Sequence, residues 1–128
     1  MKNWTGLQEM DQVEEISRVA DVFYVCYKRA PSDLKIEVRE YASGNYIGIA
    51  NYKIWGPRQA TPYISRHLQN SVEEALNDAI NGIIMFDNQE IPNKLLFFVS
   101  TENDSIIYDG EGRLVTKEEV NKRRNEIL

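Results

Sequence analysis

Between Ser71 and Phe86 the apolar residues Val72, Ala75, Leu76, Ala79, Ile80, Ile83 and Ile84 recur three or four apart, with Glu73, Glu74, Asn77, Asp78 and Asn81 filling the gaps. That spacing is one face of an α-helix. The run Ser71, Val72, Glu73, Glu74 predicts its start as a capping box: the Ser71 hydroxyl accepts from the N–H three residues on, and Glu74 reaches back. A helix this one-sided must lay its stripe on an apolar surface, and the segments before it supply a sheet.

From Leu34 to Tyr41 apolar and charged residues alternate, the period of a strand with one wet face, which turns Leu34, Ile36 and Val38 inward. Ser43, Gly44 and Asn45 predict a turn. Tyr46 to Trp55, rich in β-formers, is then a second strand antiparallel to the first, in which Gly48 marks a bulge or a close approach. Gly56 and Pro57 end it, and Tyr63 to Leu68 predicts a third strand feeding the capped helix. Upstream, Val13, Ile16, Ala20, Phe23 and Tyr27 stand three or four apart in the stretch from Asp11, which predicts a helix to about Lys28. Val22 to Tyr27 is apolar on nearly every side and admits a short buried strand as the alternative.

Downstream, residues 87–93 read as a polar connection, and Lys94 to Ser100 as a strand buried on both faces or a core segment under the helices. Ser105 to Tyr108 and Arg113 to Thr116 flank a tight turn from Asp109 to Gly112. Thr116 to Glu119 is a second capping box, opening a last helix whose apolar content is thin (Val120 and Ile127) and whose Lys122, Arg123 and Arg124 suit its negative end. The fold expected is α+β: a mainly antiparallel sheet of at least three strands with helices on one face. The expected order is α-β-β-β-α, then short β elements and a C-terminal helix.

Length and composition narrow the setting. A chain of 128 residues without repeat or low-complexity linker predicts one domain over 1–128, large enough for a core without metal or disulfide. Cys26 is the only cysteine; Val22, Phe23, Tyr24 and Val25 before it predict a buried thiol in a reducing compartment. The acidic start does not read as a signal peptide and no apolar run approaches the ~20 residues of a membrane span, so a cytoplasmic location away from membranes is expected. The net charge of -5 is unevenly spread: residues 22–67 hold seven bases and three acids, residues 68–112 one base and nine acids. Such a split steers partners or simply aids solubility.

Candidate chemistry is sparse. One histidine and one cysteine cannot build a nitrogen or sulfur metal site, and Asn103, Asp104, Asp109 and Glu111 lack the spacing of a calcium loop, so neither metal nor cofactor is expected. Gly44 and Gly48 lie inside a hairpin rather than between a strand and a helix, which removes a phosphate loop. Catalysis would have to rest on His67 with Glu73 or Glu74. A nucleic-acid reading is better furnished: Tyr46, Tyr52, Lys53, Trp55, Arg58, Arg66 and His67, with Tyr41, Tyr63, Lys35 and Arg39, offer rings for stacking and cations for phosphates on one sheet. The element order over residues 8–86 resembles, in outline, a double-stranded-RNA-binding domain, which implies a helix start facing phosphates. Glu73 and Glu74 stand where such a start needs lysines. The leading expectation is therefore a non-catalytic domain that binds protein, a second copy of itself included, with Trp4 and Trp55 as possible anchors and single-stranded nucleic acid as the rival ligand.

Overall fold

The computed structural model describes residues 3–10, 12–85 and 91–126. After a 3-10 helix at Asn3–Glu9, the strands β1 (Ser17–Tyr24), β2 (Lys35–Tyr41) and β3 (Tyr46–Ala50) form an antiparallel sheet in the order β1-β2-β3. Burial alternates along β2: Ile36 and Val38 are enclosed as the pattern predicts, Glu40 is enclosed with them although charged, and Lys35, Glu37, Arg39 and Tyr41 are half-buried. The turn into β3 runs through Gly44 at φ 92°, a conformation that a Cβ would strain.

β1 is the main correction to the sequence reading, which expects a helix there. Phe23, Val25 and Tyr27 pack against the core two apart, in strand period, although Phe23 and Tyr27 also satisfy a helical spacing. Valines and aromatics on every side lose side-chain freedom in a helix and fit a pleated surface. The open side of β2 supplies the hydrogen-bonding partner. The chain therefore opens with strands, and neither the α-first order nor the outline likeness to a double-stranded-RNA-binding domain holds. Cys26 is exposed rather than buried, because it falls on the outward parity with Val22 and Tyr24. Asp11, where the expected helix begins, lies outside the described residues.

The strand predicted from Tyr46 to Trp55 is broken at Asn51, and the break creates a second sheet. The Asn51 N–H donates to the Lys35 carbonyl (3.1 Å), its Oδ1 accepts the Lys35 N–H (2.9 Å) and its Nδ2 donates to the Asp33 carbonyl (3.0 Å). Its own carbonyl accepts from the N–H and the hydroxyl of Thr101. One residue thus ties the first sheet to the second. Beyond it β4 (Tyr52–Trp55), β5 (Phe97–Ser100), β6 (Ile107–Asp109) and β7 (Leu114–Val115) form an antiparallel sheet in chain order. As expected, β5 is buried on both faces: Phe98 joins the larger core with Ile36, Val38 and Ile54, while Phe97 and Val99 join a smaller one with Ile107, Val115 and Val120.

α1 (Val72–Ile84) begins where predicted, the Ser71 hydroxyl accepting the Glu74 N–H at 3.1 Å. The Glu74 carboxylate takes the N–H of Asn70, one residue before the cap, at 3.0 Å. Ala75, Ala79 and Ile83 press on β2 and β3, and Gly48 marks a close approach rather than a bulge: a Cβ there would lie 2.3 Å from the Ala75 carbonyl oxygen. Phe86 and the connection over 87–90 lie outside the described residues. The third strand predicted from Tyr63 to Leu68 does not form; it is reduced to single bridges at its margins, Tyr63 with Ile54 and Gln69 with Tyr46. Between them the chain leaves the sheet to contact α1. α2 (Lys117–Asn125), capped by Thr116, inserts Val120 into the smaller core; Ile127 lies outside the described residues.

Candidate interaction surface

The larger core lies on one face of the first sheet, under α1. On the other face, cross-strand pairing sets Val19 beside Arg39 and Ile47, Val22 beside Glu37 and Ile49, Tyr24 beside Lys35, and Ser17 beside Tyr41. None of these residues is buried, and Tyr24 is 81% exposed. An ion pair, Glu37 to Arg39 at 2.9 Å, runs up the middle strand between two apolar columns, Val19 and Val22 on β1 and Ile47 and Ile49 on β3. At the turn end the face runs into a groove of about 640 Å³ lined by Tyr41, Ser43, Ile47, Leu68, Glu9 and Glu15.

The free edge of β1 is blunted, whereas this face is not. An extra residue, Ala20, breaks the register between Val19 and Asp21. The Val25 N–H donates to Leu34 across the ladder, so by alternation the Val22 N–H lies on the open edge, where the Asp21 carboxylate caps it at 2.9 Å. A bulge and a self-capped amide are means by which edge strands resist pairing with another strand.

The residues singled out by sequence go elsewhere. Tyr52 is buried and donates its hydroxyl to Asp33 at 2.8 Å; burial and then that bond push its phenol above its ordinary pKa. Tyr46 packs on the larger core, with its hydroxyl 3.3 Å from the carboxylate of Glu40. Trp55 lies under the guanidinium of Arg124, 4.7 Å from the ring centroid, and donates its indole N–H to the Gln59 carbonyl. Lys53, Arg58, Arg66 and His67 are exposed, but no ring from this set lies open beside them. Trp4 is half-buried with Arg18 over its ring, and Arg18 also pairs with the enclosed Glu40. None of the seven residues of the predicted binding face lies on the open face of the first sheet. Sequence reasoning missed that face because Val19, Val22 and Tyr24 reach it only if β1 is a strand.

His67 meets Asp78 and Ser65, not Glu73 or Glu74. Its Nδ1 lies 3.0 Å from Asp78 Oδ1 and 3.1 Å from Ser65 Oγ, and the Ser65 hydroxyl donates to Asp78 Oδ2 at 3.0 Å. A serine nucleophile needs its proton directed at a base on the far side of a ring that a carboxylate orients. Here the same ring nitrogen faces both groups and the proton goes to the carboxylate, so the cluster works as a clamp holding the chain after Tyr63 to α1. The spacing of Ser65 and His67, two apart and opposite a helical Asp, is the signal that could have revealed it.

A second polar cluster fixes α2. Asp109, 1% exposed, accepts from Arg123 at 3.0 Å and from the N–H groups of Glu111 and Arg113. Arg123 also binds Glu119 and the Lys94 carbonyl, while Arg124 reaches the carbonyls of Gly56 and Gln59. The basic end predicted to suit the helix dipole is therefore also its anchor. The adjoining cleft, about 370 Å³, is lined largely by charges of both signs, several of them paired with one another. Among the described residues no three His, Cys, Asp or Glu side chains gather as metal ligands, and no helix is long and apolar enough to cross a membrane. No family model, curated protein or solved structure matches the chain.

Proposed function

We propose that the chain is a non-catalytic, cytoplasmic interaction domain that binds protein through the open face of the sheet β1-β2-β3. The observation that carries this reading is that face itself. Val19, Val22, Tyr24, Ile47 and Ile49 are left unburied on paired strands, on the side opposite the core. Contiguous apolar surface of this kind, interrupted by polar groups, is characteristic of protein-binding sites, with an exposed aromatic as the usual anchor.

The test is affinity capture with three baits: wild type, the double variant Val22→Asp with Ile49→Asp, and a control, Leu114→Asp, on the distant and exposed β7. Proteins retained by wild type and control but lost from the face variant are expected; the same set on all three baits would contradict the reading. On the open face the nucleic-acid alternative has Tyr24 and Tyr41 with Lys35 and an Arg39 already paired to Glu37; elsewhere it has Lys53, Arg58 and Arg66 without open stacking rings. Labelled single-stranded RNA and DNA should show no binding at low salt. Salt-sensitive micromolar binding that disappears when those three become Ala would favour the alternative, because bound phosphates release counterions.

A further inference from the structure

We infer that the occupant of this open face is a second copy of the chain, packed face to face about a two-fold axis that passes over β2 at the level of Val38. This deepens the interaction reading and rests on it. The argument is the internal symmetry of the face. Such an axis, in the plane between the sheets and perpendicular to the strands, lays β1 on β1, β2 on β2 and β3 on β3. It also exchanges the row Val19, Arg39, Ile47 with the row Val22, Glu37, Ile49. Valine then meets valine, isoleucine meets isoleucine, and Arg39 of each copy meets Glu37 of the other. Self-complementarity of this kind is what an isologous interface demands.

The ends of the face also match. The same rotation carries the row Tyr24, Lys35 of one copy over the row Ser17, Tyr41 of the other, beside the groove that Glu9 and Glu15 border. Tyr24, 81% exposed, is an aromatic knob that the axis sets over Ser17, and Lys35 falls over Tyr41, which lines the groove of about 640 Å³. Lys35 brings a cation to the acidic rim. Pairing through the edge of β1 is the alternative route to a dimer, and the bulge at Ala20 and the Asp21 cap on the Val22 N–H oppose it.

Three strands about 4.8 Å apart, eight, seven and five residues long, present a footprint of roughly 14 Å by 22 Å. This is smaller than the ~800 Å² per partner of standard stable complexes, so the dimer belongs to the weak, reversible class. Sedimentation equilibrium from low to high micromolar protein tests it. The average mass of the wild type should rise with concentration toward twice that of the monomer. Tyr24→Ala should weaken association at least tenfold. Arg39→Glu should do the same, by facing carboxylates across the axis, and the double exchange Glu37→Arg with Arg39→Glu should restore it. Circular dichroism checks that each variant is folded. A wild type monomeric at every concentration overturns the inference, as does a dimer indifferent to these substitutions. If the chain stays monomeric while affinity capture still depends on Val22 and Ile49, only self-association fails; if neither depends on the face, both readings fail.

Discussion

At the scale of single residues, two side chains do more than their exposure suggests. Asn51 satisfies backbone groups of Lys35 and Asp33 while its carbonyl holds Thr101, so Asn51→Ala leaves one donor and one acceptor to find other partners. A loss of about 1–3 kcal/mol is expected in urea denaturation. Asp109 is the second. Burial alone would raise its pKa, but the Arg123 guanidinium and the N–H groups of Arg113 and Glu111 outweigh that and hold it below its ordinary value of 3.8. A carboxyl depressed in the folded state contributes stability that is fully present above its unfolded pKa and is lost as pH falls through the folded one. Asp109→Asn should therefore cost on the order of 2–3 kcal/mol near neutral pH, less than a fully buried pair because Arg123 stays 19% exposed. The variant should also lose less stability than wild type as pH falls below about 4, the unfolded-state value, and on through the lower folded-state one. Equal acid sensitivity would remove Asp109 from the account. Neither role is legible in the sequence, where Asn51 sits inside an apparent strand and Asp109 opens an apparent turn.

At the scale of elements, legibility follows how local the determining contacts are. The caps at Ser71 and Thr116, the alternation of β2 and the glycine turns are set by residues within a few positions of one another, and all were readable. β1 was not. Its sequence satisfies two periods, and the choice between them is made by the hydrogen-bonding edge of β2, which lies 22 residues away where Arg18 meets Glu40. The strand expected from Tyr63 to Leu68 failed for a similar reason: Ser65 and His67 bond to Asp78 on α1, a contact that periodicity does not register. The closest contact between elements, Gly48 under Ala75, gives a sharp expectation. Gly48→Ala drives a methyl into helix backbone that has no rotamer with which to yield. It should cost at least the ~1–3 kcal/mol typical of overpacking. Ser71→Ala, which only removes a cap, should cost about 1 kcal/mol. A Gly48→Ala variant melting with the wild type would contradict the packing of α1 on β3.

For the molecule as a whole, two cores share β5, and each of the two helices serves a different one. This arrangement buries β5 on both faces and leaves the first sheet covered on only one. On its outer face Val19, Val22 and Tyr24 stay exposed, with Ile47 and Ile49 half-buried beside them. How much of that surface could be read in advance comes down to β1: Glu37 and Arg39 were assigned to a wet face, but Val19, Val22 and Tyr24 could join them only once the first element was a strand. The most direct measurement follows the backbone amide resonances of the wild-type chain through a dilution series. The account expects shifts that grow with concentration and concentrate on Val19, Val22, Tyr24, Glu37, Arg39, Ile47 and Ile49, with α1 and β7 unchanged. Resonances that do not move, or that move on α1 or β7 while the face of β1-β2-β3 stays silent, would contradict it.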